Sequence, residues 1–241
     1  MDSREMDIET LKRNIDREWG YRRAEELRVE RLRSQTHEEW VWGLDVVHSK
    51  VHEPDQNIFR VAAGVQSMLN AKNVTFCFIG GIPLQRWGET RHTNDVDLTV
   101  FCDLGKEAGM LQVLEEYLSA RIEDASDMVH VARMYLGRSP EGVEVDVSLG
   151  FTPYERRMME RAVDVDYGVG VPLRICCAED LVVTKTVAGR GQDWVDLQRI
   201  IQRSGETMDW PLVYEELEPL LAMGETEENL ARLQEMVANT R

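Results

Sequence analysis

Ile79-Gly80-Gly81-Ile82-Pro83-Leu84-Gln85-Arg86-Trp87-Gly88-Glu89-Thr90-Arg91-His92-Thr93-Asn94-Asp95-Val96-Asp97-Leu98-Thr99-Val100 is the stretch whose reading decides the fold. Gly80-Gly81 closes an apolar run, Val74 to Ile79, that reads as a buried strand. Asp95 and Asp97 open a second run, residues 95–101, at strand spacing. Side chains two apart on a strand share a face. The two carboxylates therefore project together, and Val96, Leu98 and Val100 project the other way. Paired carboxylates repel unless a cation lies between them. A glycine pair after a strand lets backbone N–H groups approach a phosphate closely. Together they suit the transfer of a phosphoryl or nucleotidyl group.

Working outward, Pro83 suits a first helical turn, so a short helix is expected over Gly81–Trp87. Val143, Val145 and Val147 alternate with Glu144, Asp146 and Ser148, a half-buried strand over Val143–Leu149. Beside the first acidic strand, Asp146 would supply a third carboxylate. Glu144 is the alternative; Asp146 is preferred on the length of the segment that follows. Three acids are what a two-metal transfer requires, with two Mg²⁺ ions clamping the attacking and leaving oxygens. Catalysis by such a site is mainly positioning and charge neutralisation.

The remaining pattern places a helix on Ile58, Val61, Val65 and Met68 and another over Leu104–Ala120. A strand is expected over Met128–Leu136, with a turn around 138–142. A hairpin over Val163–Ile175 turns near Gly168 and Gly170. Helices follow at 178–189, 193–203, 210–222 and 225–238. Upstream, residues 5–33 read as a charged helix. A second helix starts at a Thr36/Glu39 capping box and carries Trp40, Leu44, Val47 and Val51. Pro54-Asp55 separates it from the rest. The expected organisation is a helical appendage (1–53), an α/β core with a mixed sheet (54–203) and a C-terminal helical tail (204–241).

Composition excludes several classes. The 241 residues carry a formal net charge of −16, against the basic surplus of a dedicated nucleic-acid binder. The charge is uneven: residues 11–33 hold eight Lys/Arg against five Asp/Glu, and 204–241 hold two against nine. An RNA acceptor is thus not excluded at the basic end. The four cysteines lack metal-ligand spacing and read as free thiols in a reducing cytoplasm. The charged first 35 residues fit neither a signal peptide nor a membrane span.

Gly80-Gly81, a gap of thirteen residues and Asp95-Val96-Asp97-Leu98 resemble the signature of the DNA polymerase beta-like nucleotidyltransferase superfamily. The wider wording, with Arg86-Trp87-Gly88-Glu89, Arg91 and Thr93, looks like the bacterial minimal nucleotidyltransferases, AbiEii-type toxins among them. A second block agrees: Ala178-Glu179-Asp180-Leu181, Lys185, Ala188, Arg190, Asp193 and Asp196. The resemblance spans roughly residues 74–203. It implies an enzyme that uses an NTP and Mg²⁺, with Asp95, Asp97 and Asp146 as catalytic and metal-holding residues. Gly80, Gly81, Arg91, Thr93 and Lys185 would bind the nucleotide. Lys185 would offer its ammonium to the triphosphate, whereas Arg190, Asp193 and Asp196 read as structural pairs. Many active relatives have Gly-Ser where this chain has Gly80-Gly81, and other active branches have Gly-Gly. The acceptor varies across the family: RNA, protein or a small molecule. The resemblance also implies a role as the enzyme of a toxin–antitoxin system. The apolar stripe of the N-terminal helices needs a cover: those helices either pack back on the core or dock a partner protein. The alternative is a catalytically idle or partner-regulated binding protein on the same fold.

Overall fold

A computed structural model describes residues 56–89, 93–224 and 226–240. The expected helices within residues 5–53 and the Pro54-Asp55 break lie outside the described residues, as does Arg91.

The first described helix, α1 (Gln56–Ala71), forms because Ile58, Val61, Ala62, Val65 and Leu69 recur at helical spacing, and all five are buried. It leads into β1 (Phe76–Phe78), α2 (Gly81–Trp87) and β2 (Asp95–Phe101). Then come α3 (Glu107–Glu115), β3 (Ser119–Ala120), α4 (Ala125–Val131), β4 (Met134–Arg138) and β5 (Glu144–Gly150). After α5 (Pro153–Glu160), the short strands β6 (Val163–Val165) and β7 (Leu173–Ile175) complete the sheet. The helices α6 (Ala178–Ala188), α7 (Gly191–Ser204), α8 (Trp210–Gly224) and α9 (Glu228–Thr240) follow.

The seven-stranded sheet runs β3-β4-β5-β2-β1-β7-β6. It is mixed. β2 is parallel to β5 and β1 to β7, and the remaining neighbours are antiparallel. The fold is α/β, as the alternation of patterns predicted.

Each face of the sheet has its own apolar layer. Val96, Leu98, Val100, Val145 and Val147 pack with α1, Leu114 of α3 and Val129 of α4. On the opposite side Cys77 and Cys176 meet Met158 and Met159 of α5 and the buried stripes of α6 to α9. The C-terminal helices α8 and α9 thus share one apolar cluster with α6 and α7. A charged cluster ties this layer together: Arg161, at the C-terminal cap of α5, donates to Asp180 of α6 at 2.7 and 3.0 Å and to Glu216 of α8 at 2.8 Å.

Two expected elements differ. The helix expected over Leu104–Ala120 stops at Glu115, and Ser119–Ala120 pairs with β4 as an edge strand. The strand expected from Met128 begins only at Met134. Ala125 and Val129, four apart, bury one face of a helix, while Val131 is exposed. The local Met-Val-His-Val alternation lost to that tertiary contact. Arg133, at φ 52, makes the break between the helix and β4. The helix α5 lay in a stretch with no assigned element, although its signal is local. Thr152 caps it and accepts from Glu155 N at 3.2 Å; Glu155 accepts in return, and Pro153 follows the cap.

Candidate active site

The end of β1 and the starts of β2 and β5 meet at one end of the sheet. Ile79 N donates to Asp97 O at 3.0 Å, which holds the glycine turn against β2. Parallel pairing of β2 and β5 sets Asp95 opposite Glu144 and Asp97 opposite Asp146. Residues opposite in register point to the same side, so all four acids lie on one face of the sheet. The buried valines Val96, Val145 and Val147 hold the other face.

The glycines fit this corner for steric reasons. Gly80 has φ 65, and a Cβ there would lie 2.0 Å from Asp97 Oδ2. A Cβ on Gly81 would lie 2.3 Å from Thr93 Oγ1. Neither position has room for a side chain. Thr93 is buried, and its hydroxyl donates to Asp95 Oδ1 at 3.1 Å. The hydroxyl thus fills the space beside Gly81 and orients the first acid. The turn is anchored at its far end by Trp87 Nε1, which donates to Cys176 O at 2.9 Å, and by Ser204 Oγ, which donates to Trp87 O at 2.7 Å.

Burial of its carboxyl raises Asp97 to about 7, with Asp95 and Asp146 adding to the rise; Arg190 and Lys185 oppose it. A buried carboxylate beside two other acids is one whose charged form a nearby cation would favour.

Lys185 stands on the last turn of α6, buried, and donates to Asp196 Oδ2 at 2.7 Å and Asp193 Oδ1 at 3.2 Å. Arg190 Nε donates to Asp193 Oδ2 at 2.8 Å. The α6–α7 junction, with Gly189 in the left-handed region at φ 59, therefore holds two cations in a framework of aspartates. Their charge reaches Asp97.

The sequence reading missed Arg121. This residue follows β3, and its guanidinium forms ion pairs with Asp146 and Glu144 through separate nitrogens. No local pattern marks it, because its place depends on β3 joining the sheet.

Oxygen donors of this kind suit a hard cation such as Mg²⁺. As the side chains stand, no three His, Cys, Asp or Glu groups among the described residues converge on a common ion position. The backbone register and the state of Asp97 fit a divalent cation; the carboxylate of Asp146 is engaged by Arg121.

A mixed sheet that carries two acids on one strand, a third on its parallel neighbour and a glycine turn at their mouth defines the nucleotidyltransferase fold. The sequence model of the family described as "Nucleotidyl transferase AbiEii toxin, Type IV TA system" matches residues 67–238. The chain belongs to that family, and the match runs from α1 into α9.

Solved structures to which the chain is similar include an antigenic nucleotidyltransferase-like protein from Paracoccidioides brasiliensis. It is 15% identical, with 77% of this chain and 94% of that chain covered and a TM-score of 0.47. A putative nucleotidyltransferase from Thermotoga maritima is 12% identical, with 63% and 96% covered and a TM-score of 0.41. A putative nucleotidyltransferase from H. pylori is 13% identical, with 78% and 97% covered and a TM-score of 0.41. No curated protein matches the chain. Among the described residues no helix is long and apolar enough to cross a membrane.

Proposed function

We propose that the protein is a Mg²⁺-dependent nucleotidyltransferase that moves a nucleotide from an NTP to a hydroxyl-bearing acceptor, as the enzyme of a toxin–antitoxin system. One observation carries this reading: Asp95, Asp97 and Asp146 lie on a single sheet face beside Gly80-Gly81.

In this reading the side-chain-free turn at Gly80-Gly81 leaves room for the triphosphate against the backbone. Asp95, oriented by Thr93, and Asp97 hold the cation at the nucleotide, and Asp146 completes the set. The cation, when bound, neutralises charge on the triphosphate and on the leaving group. Lys185 and Arg190 add positive potential from the α6–α7 junction, within the aspartate framework that fixes them. Asp146 takes the proton from the acceptor hydroxyl. That oxygen bonds to the α-phosphorus, the bond from the α-phosphorus to the bridging oxygen breaks, and pyrophosphate leaves. Arg91, four positions before Asp95 in the sequence, is proposed as a further phosphate contact. Residues 1–53 are proposed as the docking element for a partner protein, and the cytoplasm as the site of action.

The direct test supplies each NTP, labelled at the α-phosphate, with Mg²⁺ and a cell extract. Label should enter one fraction (RNA, protein or small molecule) with wild-type protein and not with the Asp95→Ala/Asp97→Ala variant. Equal labelling by both, or none by either, would refute the reading.

A further inference from the structure

Arg121 is a charged group at this site that lies outside the motifs quoted from the sequence. Its backbone N donates to Leu136 O at 2.9 Å, and Leu136 lies opposite Asp146 in the β4–β5 register. Asp146 lies opposite Asp97 in turn. A single row from Arg121, just past β3, across β4, β5 and β2 thus sets the guanidinium beside the third carboxylate and the third carboxylate beside the second.

The guanidinium is held, not loosely paired. One terminal nitrogen binds Asp146 and the other binds Glu144, and the side chains of Arg121 and Asp146 are each only 13% exposed. Glu144 is more open, at 38%, and is also met by Arg138 at 3.4 Å. Glu144 thus anchors the fork, and Asp146 is the less exposed carboxylate that the fork orients. The arrangement has a cost: Arg121 Nε is buried with no hydrogen-bond partner. A buried donor without a protein partner costs stability.

Resting on the proposed function above, we infer that Arg121 is a positioning residue for transfer: anchored on Glu144, it fixes the orientation of Asp146 and offsets part of the site's negative charge. Two effects follow. Without the fork, Asp146 loses its fixed angle to the acceptor hydroxyl, which slows the chemical step. Without the positive charge, the acids attract a divalent cation more strongly. Removing Arg121 should therefore tighten cation binding while slowing transfer, a combination that plain loss of structure would not produce. Lysine keeps the charge but cannot bridge two carboxylates with a planar fork.

The experiment compares the full-length wild type with Arg121→Gln, Arg121→Lys and Glu144→Gln. Mn²⁺ binding is followed by the EPR signal of the free ion with no nucleotide present. Transfer is measured as KM and kcat with the NTP found active. Arg121→Gln should bind Mn²⁺ at least several-fold more tightly, keep its KM for NTP within a few-fold and lose kcat by a factor on the order of 10 to 10². Arg121→Lys should return Mn²⁺ affinity toward wild type and leave kcat low. Glu144→Gln, which leaves the guanidinium in place, should lower kcat less than Arg121→Gln; it serves as the second test should Arg121→Gln not fold. Unchanged Mn²⁺ affinity in Arg121→Gln, full recovery of kcat in Arg121→Lys, or wild-type kcat in Glu144→Gln overturns the inference. Absence of transfer by the wild type overturns the proposed function and the positioning role with it, whereas the Mn²⁺ arm still reads the charge that Arg121 offsets. A wild type that binds no Mn²⁺ without nucleotide, yet transfers, overturns the inference and leaves the proposed function standing.

Discussion

Asp97 on β2 and Asp146 on β5 stand directly opposite each other in a parallel register, and each is flanked by buried apolar neighbours that hold it to the same face. The shared side follows from the period of two, and the adjacency follows from the pairing. On the proposed reading the two acids divide the work, Asp97 with the nucleotide and Asp146 with the acceptor. Asp146→Asn should keep nucleotide affinity within a few-fold and lose transfer by a factor on the order of 10² or more. Glu144→Gln should lose less. The reverse ranking, read from initial rates, would assign the third acid to Glu144.

Nucleotide binding should depend on the other two acids. Calorimetric titration of Mg²⁺-ATP or Mg²⁺-GTP into Asp95→Ala/Asp97→Ala should show loss of the metal-dependent component. Equal heats from the variant and the wild type would remove both residues from the binding site.

Asp97 carries a pH signature. Its folded pKa lies near 7, raised by burial first and then by Asp95 and Asp146. A carboxylate raised in the fold ionises first in the unfolded chain, from about pH 4, so the native state binds more protons and loses stability as pH climbs. The penalty grows between about pH 4 and pH 7 and levels off above. Asp97→Asn should therefore raise the melting temperature at pH 8 and change it little at pH 4. A variant melting no higher than wild type at pH 8 would show that the acid is not strained there.

The corner at Gly81 should be intolerant of any side chain. Gly81→Ala drives a methyl against Thr93 and should cost about 1–3 kcal/mol, the usual range for overpacking. Thr93→Ala removes the nearest atom, so the double variant should lose less than the sum of the two singles. Gly80→Ala should cost more, because a positive φ adds backbone strain to the clash with Asp97. Additive losses in urea melts would mean that Gly81 and Thr93 do not press on one another.

Arg133 offers a contrast in which charge serves the fold. Buried, it forms an ion pair with Glu107 and donates to Leu149 O at 2.8 Å and Cys102 O at 2.5 Å. Arg133→Met should destabilise by about 3–5 kcal/mol, since it leaves Glu107 and two carbonyls without their donor. Transfer measured well below the new melting temperature should be near wild type.

The proposed boundary at residue 54 is testable by truncation. A chain starting near Pro54 keeps α1, whose Ile58, Val61 and Val65 lie in the core, and should melt cooperatively. A molten product from that truncation, with a stable full-length chain, would place residues 1–53 within the core.

The elements that bear local signals were legible. The glycine turn, the short helix after it and the acidic strand over residues 95–101 were read at the bounds the structure shows, because each depends on its own turn chemistry and period. The four C-terminal helices were legible for the same reason, within a few residues at each end. Between Leu104 and Leu136 the helix Glu107–Glu115 was legible, but its end and the segment that follows were not. There the local alternation of Val129 and Val131 pointed to a strand, and burial of Ala125 and Val129 on the sheet made it a helix.

The same division holds at the site. Sequence by itself determined that Asp95 and Asp97 share a side, that two glycines stand before them, and that Asp146 alternates with buried valines. Each of these is a short-range property of a strand or turn. Only the tertiary structure decided that Asp146 lies beside Asp97, that Thr93 fills the space over Gly81, and that Lys185 is enclosed by Asp193 and Asp196. Arg121 is the clearest case. It reaches Asp146 across 25 residues of chain because a two-residue edge strand pairs with β4, and β4 pairs with β5. Strand order and register arise from how the whole chain packs, and no local pattern encodes them.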